Sequence, residues 1–156
     1  PNVGKSTLIN KLVGKNIAGV GNKPGVTKNL TTLRINDNMD LVDSPGILWP
    51  KFENNMVAYN LASMTIIKEE VITIEEVACH ILRMLDKYYK DILKQEFGIE
   101  YYNDDEVEEC FTKISKKKNI PVNGEVDYER VSLIIINSIK QEKVKNITFD
   151  RVKDYE

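Results

Sequence analysis

The chain has 156 residues, of which 42% are hydrophobic and 29% charged, with a formal net charge of -2. This suits one modest domain or two small ones with a real core, and excludes a disordered or fibrous chain. No run approaches the ~20 apolar residues of a membrane span, and Pro1 opens on polar residues and lysine where a secretory leader would carry apolar ones. The expected address is therefore the cytoplasm, with no membrane partner, and any nucleic-acid contact must come from a local patch rather than from the whole-molecule field.

Lys5 to Val13 predicts a helix whose apolar face is Leu8, Ile9, Leu12 and Val13. Ala18 to Lys28 reads as loop, since Gly19, Gly21, Pro24 and Gly25 interrupt any regular element. Thr31 to Ile35 and Met39 to Asp43 predict two strands joined as a hairpin through Asn36-Asp37-Asn38. From about Asn54 the periodicity turns helical. Thr73 followed by Glu76 is a capping box, and Val77, Ile81, Leu85, Tyr88 and Ile92 carry one helix on to Gly98. Asp104 or Asp105 can cap a second helix with Val107, Cys110, Phe111 and Ile114, and Asp127 opens a third through Val131, Ile134, Ile135 and Ile139. The fold class expected is a partial α/β nucleotide-binding domain over residues 1–70 followed by a small all-α domain over 71–156, with a tail from Lys140 that can fray. Cys79 and Cys110 lie within the helical patterns without metal-ligand spacing, and read as buried reduced thiols.

Pro1-Asn2-Val3-Gly4-Lys5-Ser6-Thr7 reads as the end of a Walker A loop, G-x-x-x-x-G-K-[ST], so the chain is expected to start inside its own motif. The residue types suit phosphate chemistry. Gly4 lets backbone N–H groups approach phosphates, the following helix N-terminus favours negative charge, Lys5 reaches the β- and γ-phosphates, and Ser6 ligates magnesium. Val3 and Thr7 flank these groups in the same nucleotide-binding stretch.

Asp43-Ser44-Pro45-Gly46, at the end of the strand candidate, looks like the D-x-x-G motif of GTPases. Asp43 would hold Mg2+ through water, and the Gly46 amide would sense the γ-phosphate. A plain Asp-Ser-Pro-Gly turn is the alternative, weighed against its placing behind a Walker A lysine with helix, loop and strand between. In Pro24-Gly25-Val26-Thr27, Thr27 is the candidate switch I ligand to magnesium. Thr31 and Thr32 fall in the first strand candidate and suit that role less well.

Together P-N-V-G-K-S-T, P-G-V-T and the string from Asp43 to Lys51 resemble the RbgA/YlqF family of ribosome biogenesis GTPases along nearly the whole chain. The resemblance implies a circular permutation in which the N-K-x-D guanine-binding motif precedes the Walker A loop. No N-K-x-D occurs after Ser6, and Asn22-Lys23-Pro24-Gly25 is a decoy because glycine cannot accept the guanine hydrogen bonds. On this reading the chain is a C-terminal fragment, inactive alone, of a GTP-hydrolysing factor for large-subunit assembly. GTP or GDP and the precursor particle, with its ribosomal RNA and proteins, are the expected partners, and the protein is expected to be a monomer. The resemblance further implies that Asn2 helps hold K+, and that the catalytic histidine lies upstream of Pro1, so that no catalytic residue is assigned within this chain. Ile47 stands where many GTPases place a water-orienting glutamine, which an aliphatic side chain cannot replace.

His80, the single histidine, reads as a helix-surface or core-edge residue, and Trp49 as a loop aromatic between domains, with a partner contact as the alternative. Lys113, Lys116, Lys117 and Lys118 form a basic cluster, joined in sequence by Arg130 and later by Lys140, Lys143 and Lys145. A solvated face balancing the acids from Asp104 to Glu109 is the bland reading, and contact with ribosomal RNA phosphates is the sharper one. The alternative function for the chain is a non-catalytic ribosome- or RNA-binding helical module keeping a remnant of the P-loop domain.

Overall fold

The computed structural model describes residues 4–15, 29–44, 54–64, 72–121 and 125–154. The chain divides into two compact units, Pro1–Glu53 and Asn54–Glu156.

In the first unit, helix α1 (Lys5–Val13) begins after Gly4 and ends at Gly14, both in the left-handed region at φ 84° and 71°. The Gly14 N–H closes the last turn on the Asn10 carbonyl at 2.9 Å. A Cβ on Gly4 would meet nothing within 4 Å, so glycine is required there by backbone conformation and not by space. Strands β1 (Thr31–Asn36) and β2 (Met39–Asp43) form the expected antiparallel hairpin, in which Leu33 pairs with Leu41 and Thr31 with Asp43. The register shifts between Arg34 and Asn36, so Ile35 sits in a bulge beside the turn.

The apolar stripe expected on α1 is only partly used. Ile9 is buried, whereas Leu8 and Leu12 are 59% and 54% exposed. The helix packs mainly on β1, and one narrow hairpin covers less than the ~100°-wide stripe the sequence carries.

In the second unit the described residues are helices and their connections. Helix α2 (Asn55–Ser63) is capped by the Asn54 side chain, which accepts from the Met56 N–H. It packs on α3 (Ile74–Tyr88), in keeping with the helical periodicity that sets in at about Asn54. The capping box at α3 forms as expected, with the Glu76 N–H donating to Thr73 Oγ1 and the Thr73 N–H to Glu76 Oε2. Val77, Ala78, Ile81, Leu82, Met84 and Leu85 of α3 are buried, each large aliphatic side chain contributing about 1.5–3 kcal/mol. Helix α6 (Tyr128–Lys140), capped by Asp127, is the main partner of α3.

The single helix expected from Ile74 to Gly98 is interrupted. At Tyr89 the backbone leaves the helical region (φ -144°), and the chain resumes as α4 (Lys90–Ile92) and a π-helical turn, Leu93–Phe97. The C-terminal tail accounts for the break. The Tyr89 hydroxyl accepts from the Thr148 N–H at 2.9 Å and from the Arg151 guanidinium at 2.6 Å, and that guanidinium lies 4.2 Å from the Tyr88 ring centre. The tail expected to fray is thus held, with Val144 and Phe149 buried. A further 3-10 turn (Asp104–Glu106) leads into α5 (Val107–Lys117), and another (Val152–Asp154) closes the described chain. Asn103 caps the first of these 3-10 turns, accepting from the Asp105 N–H, while α5 starts after Glu106 without a side-chain cap; Asp104, expected as a cap, is engaged by Arg83 at 2.7 Å and by the Tyr102 hydroxyl at 2.9 Å. Among the described residues no helix is long and apolar enough to cross a membrane.

Candidate functional site

Local chain chemistry sets up the N-terminal end of α1. Gly4 supplies no side-chain cap, so the first-turn amides of Lys5, Ser6 and Thr7 have no side-chain acceptor of their own, and the positive end of the helix dipole favours an anion there. At the end of β2, alternation turns Leu41 and Asp43 to the covered side, and the Asp43 side chain is 3% exposed. A carboxylate so buried requires a partner, which Lys5 provides: its ammonium forms an ion pair with Asp43 Oδ1 across 38 residues of chain. The side chain of Lys5 remains 40% exposed.

This arrangement suits magnesium better than a protein-only metal cage. No group of three or more His, Cys, Asp or Glu gathers among the described residues. Asp43 and the half-buried Ser6, which directly follows Lys5, instead offer a carboxylate and a hydroxyl, hard oxygen donors of the kind that hold Mg2+ jointly with substrate phosphates. Asp43 and Ser6 would hold such a metal, and it would supply positive charge to offset that of phosphates. Thr7 is exposed. Asn2, Val3, Thr27 and Gly46, with Ile47 and Trp49, lie outside the described residues.

The lysine cluster separates into two kinds. Lys113 pairs with Glu109 at 2.6 Å one turn back on α5. Lys118 is largely covered and pairs with Glu96, with its ammonium 5.3 Å from the Phe97 ring centre. Lys116 and Lys117 are exposed, and neither has an ion pair among the described residues.

His80 is buried at 6% exposure, between the rings of Tyr59 (5.3 Å) and Phe149 (6.4 Å). Its Nε2 lies 2.8 Å from Asn60 Oδ1. The Asn60 amide nitrogen donates to the Phe149 carbonyl and to Asp150, which fixes Oδ1 toward the histidine, so Nε2 carries the donated proton. Burial, then the positive charge of Arg83, lowers the His80 pKa from 6.5 to about 4. The ring is a neutral structural link between α2, α3 and the tail. Cys110 is buried and Cys79 half-buried, both unbridged, with thiol pKa values raised chiefly by burial. Sequence reading missed Asn60 and Glu96, whose partners lie 20 or more residues away and leave no local signal.

A family profile described as 50S ribosome-binding GTPase matches residues 1–124. Ribosome biogenesis GTPase A of Bacillus licheniformis is 39% identical over 155 residues, covering 99% of this chain and 54% of that protein. The protein of the same name from Bacillus cereus is 38% identical over 156 residues, covering 99% and 52%. The chain thus spans about half the length of the curated relatives it matches. Among solved structures, a GDP-bound YlqF superposes with a TM-score of 0.57 at 24% identity, over 99% of this chain and 58% of that one, a likeness of fold. A GNP-bound YlqF from T. maritima gives 0.55 at 25% identity, over 97% and 56%. A profile running from the Walker A stretch through α5, together with relatives matched along nearly the whole chain, places the sequence: it belongs to the 50S ribosome-binding GTPase family, in the RbgA/YlqF group of ribosome biogenesis GTPases.

Proposed function

We propose that this chain is the C-terminal part of a GTP-binding and GTP-hydrolysing factor for assembly of the large ribosomal subunit. The observation that carries this reading is the Lys5–Asp43 ion pair, which joins the Walker A lysine to the D-x-x-G aspartate. Residues 1–70 act as the partial nucleotide domain and 71–156 as the ribosome-facing domain, in a permuted order that puts the guanine-reading motif ahead of Pro1. Asn2, Val3, Gly4, Lys5, Ser6 and Thr7 contact the nucleotide, and Thr27 and Gly46 respond to its γ-phosphate. Ser6, Thr27 and Asp43 hold Mg2+, and Asn2 helps hold K+. GTP orders the two switch loops, hydrolysis releases them, and the helical unit converts that difference into affinity for the precursor particle. The factor works as a cytoplasmic monomer.

A second reading has one observation in its favour. The apolar core is concentrated in the helical unit, whereas the described part of the first unit buries little beyond Ile9 and Leu33. A helical ribosome- or RNA-binding module with a vestigial P-loop would show the same contrast. GTP hydrolysis by the complete protein separates the two. Turnover that Lys5→Ala abolishes, with the helical unit still folded, supports the switch, and turnover indifferent to Lys5 overturns its phosphate role. Calorimetry on this chain alone should show weak GTP binding or none, because the base-reading aspartate is absent from its sequence.

A further inference from the structure

The tail brings two cations to a third at the end of α3. Around the ring of Tyr88, the last residue of that helix, the Arg151 guanidinium stands 4.2 Å from the ring centre, the Lys87 ammonium 4.7 Å and the Lys153 ammonium 4.9 Å. Some sixty residues separate the tail cations from the helix, so the fold gathers them and sequence adjacency does not. Tyr89 fixes the arrangement, because its hydroxyl accepts both from the Thr148 N–H and from Arg151 Nη2.

The two tail cations lack a counter-charge. A single aromatic ring attracts a cation only modestly at an exposed site, whereas three like charges this close repel one another. Lys87 and Lys153 are exposed and Arg151 is half-buried. Neither Arg151 nor Lys153 has an ion pair among the described residues, and the acid beside them, Asp150, accepts from the Asn60 amide at 2.9 Å. Arg151 carries a further deficit, since its Nε is buried without a hydrogen-bond acceptor. Buried donors of this kind are uncommon and point to a missing water or ion. A guanidinium fork matches paired oxygens of a carboxylate or a phosphate, and flexible ammonium groups beside it add point charges.

We propose that Arg151, Lys153 and Lys87, gathered on Tyr88, form a binding site for a small, multiply charged oxyanion of the phosphate or pyrophosphate class. Such an ion supplies acceptors to the Arg151 fork, including the one its Nε lacks, and its charge offsets the repulsion among the three cations. Convergence on one ring favours a small ion over a polymer, whose backbone is met by charges spread along a surface. The site belongs to the helical unit and does not depend on the nucleotide reading of Lys5 and Asp43. Because Arg151 also holds Tyr89, an ion bound here fastens the tail to the end of α3 and stabilises the unit by mass action.

The test is calorimetric titration of the complete chain with pyrophosphate and with inorganic phosphate, at constant ionic strength set by chloride. Every protein carries Lys5→Ala, so that the Walker A stretch contributes nothing. The variants are Lys87→Gln/Lys153→Gln, which spares the bond between Arg151 and Tyr89, then Arg151→Gln, and Lys94→Gln as a control whose ammonium pairs with Glu100. Pyrophosphate should bind at one site, the double variant should weaken it by about tenfold or more, Arg151→Gln should remove it, and the control should change nothing. In parallel, pyrophosphate should raise the urea midpoint of the Lys5→Ala chain and of the control but not that of the double variant. Equal affinity in the double variant, or no binding by the Lys5→Ala chain, overturns the site. Binding that emerges only with Asp154→Asn/Glu156→Gln overturns it in favour of the chain's own acids as the counter-charge.

Discussion

The ammonium of Lys5 rests on the carboxylate of Asp43, so the two groups assigned to phosphate and magnesium satisfy each other. On the proposed reading, Asp43 would hold the metal of a bound magnesium nucleotide and Lys5 its phosphates, so that binding would part this ion pair. In the complete protein, Asp43→Asn should remove the advantage that Mg2+ gives to GTP binding by about tenfold or more, since one charge-assisted interaction of about 1.4 kcal/mol is lost. Titrations with and without Mg2+ read this directly. Equal magnesium dependence in both proteins would take Asp43 out of the metal site.

His80 gives the helical unit a defined acid sensitivity. Its folded pKa of about 4 lies below the unfolded 6.5, so the fold favours the neutral ring. The contribution is complete above pH 6.5 and is lost as pH falls toward 4. Stability by urea denaturation should drop by about 2 kcal/mol between pH 7.5 and 5. His80→Gln should flatten that window. Asp104 does not confuse the reading, because its pKa is lowered from 3.8, chiefly by its hydrogen bond with Arg83, and its contribution is lost only at more acid pH. An unchanged slope in the glutamine variant would mean that another group titrates.

Glu96 and Lys118 are each about one-fifth exposed, so removing the carboxylate strands a largely covered ammonium. Glu96→Ala should cost about 2 kcal/mol of unfolding free energy. With Lys118→Ala present the further cost should shrink, giving a coupling of about 0.5 kcal/mol or more in a double-mutant cycle. Strict additivity would show that the pair contributes no mutual stabilisation.

Local chemistry made the first layer of this structure legible. Gly4 before Lys5, the Thr73–Glu76 box and the Asn36–Asn38 turn are short-range signals, and α1, α3 and the hairpin form where they point. The break at Tyr89 was not legible, because Ile92 continues the helical spacing and the cause, Thr148 and Arg151, lies some sixty residues on. The exposure of Leu8 and Leu12 escaped for a related reason, since periodicity states which face is apolar but not how much surface is available to cover it. In the candidate site, motif spacing named Lys5 and Asp43 and their ion pair brings them together. Within the lysine cluster, adjacency in sequence does not show that Lys113 pairs with Glu109 and Lys118 with Glu96.

The hydrolytic step demands a group that orients or deprotonates water, and isoleucine at position 47, directly after Gly46, has no hydrogen-bonding atom to do so. His80 does not fill that role. Its Nε2–H is committed to Asn60, its ring lies between Tyr59 and Phe149, and its lowered pKa makes it a weak base. On the proposed reading the catalytic histidine would belong to sequence preceding Pro1. In the complete protein, Ile47→Ala should therefore lower turnover only modestly, because it alters how dry the site is and not its proton transfers. His80→Gln should leave turnover per folded molecule unchanged while lowering stability. Replacing the responsible upstream histidine should lower turnover by about 100-fold or more, the usual scale for losing a general acid or base. Single-turnover hydrolysis, with and without large-subunit precursor particles, measures all three variants, and the same assay on Asn2→Ala in K+ and in Na+ tests Asn2 as the potassium ligand. A His80 variant that loses turnover at full folded concentration, with every upstream histidine dispensable, would require the catalytic group to be sought in the helical unit instead.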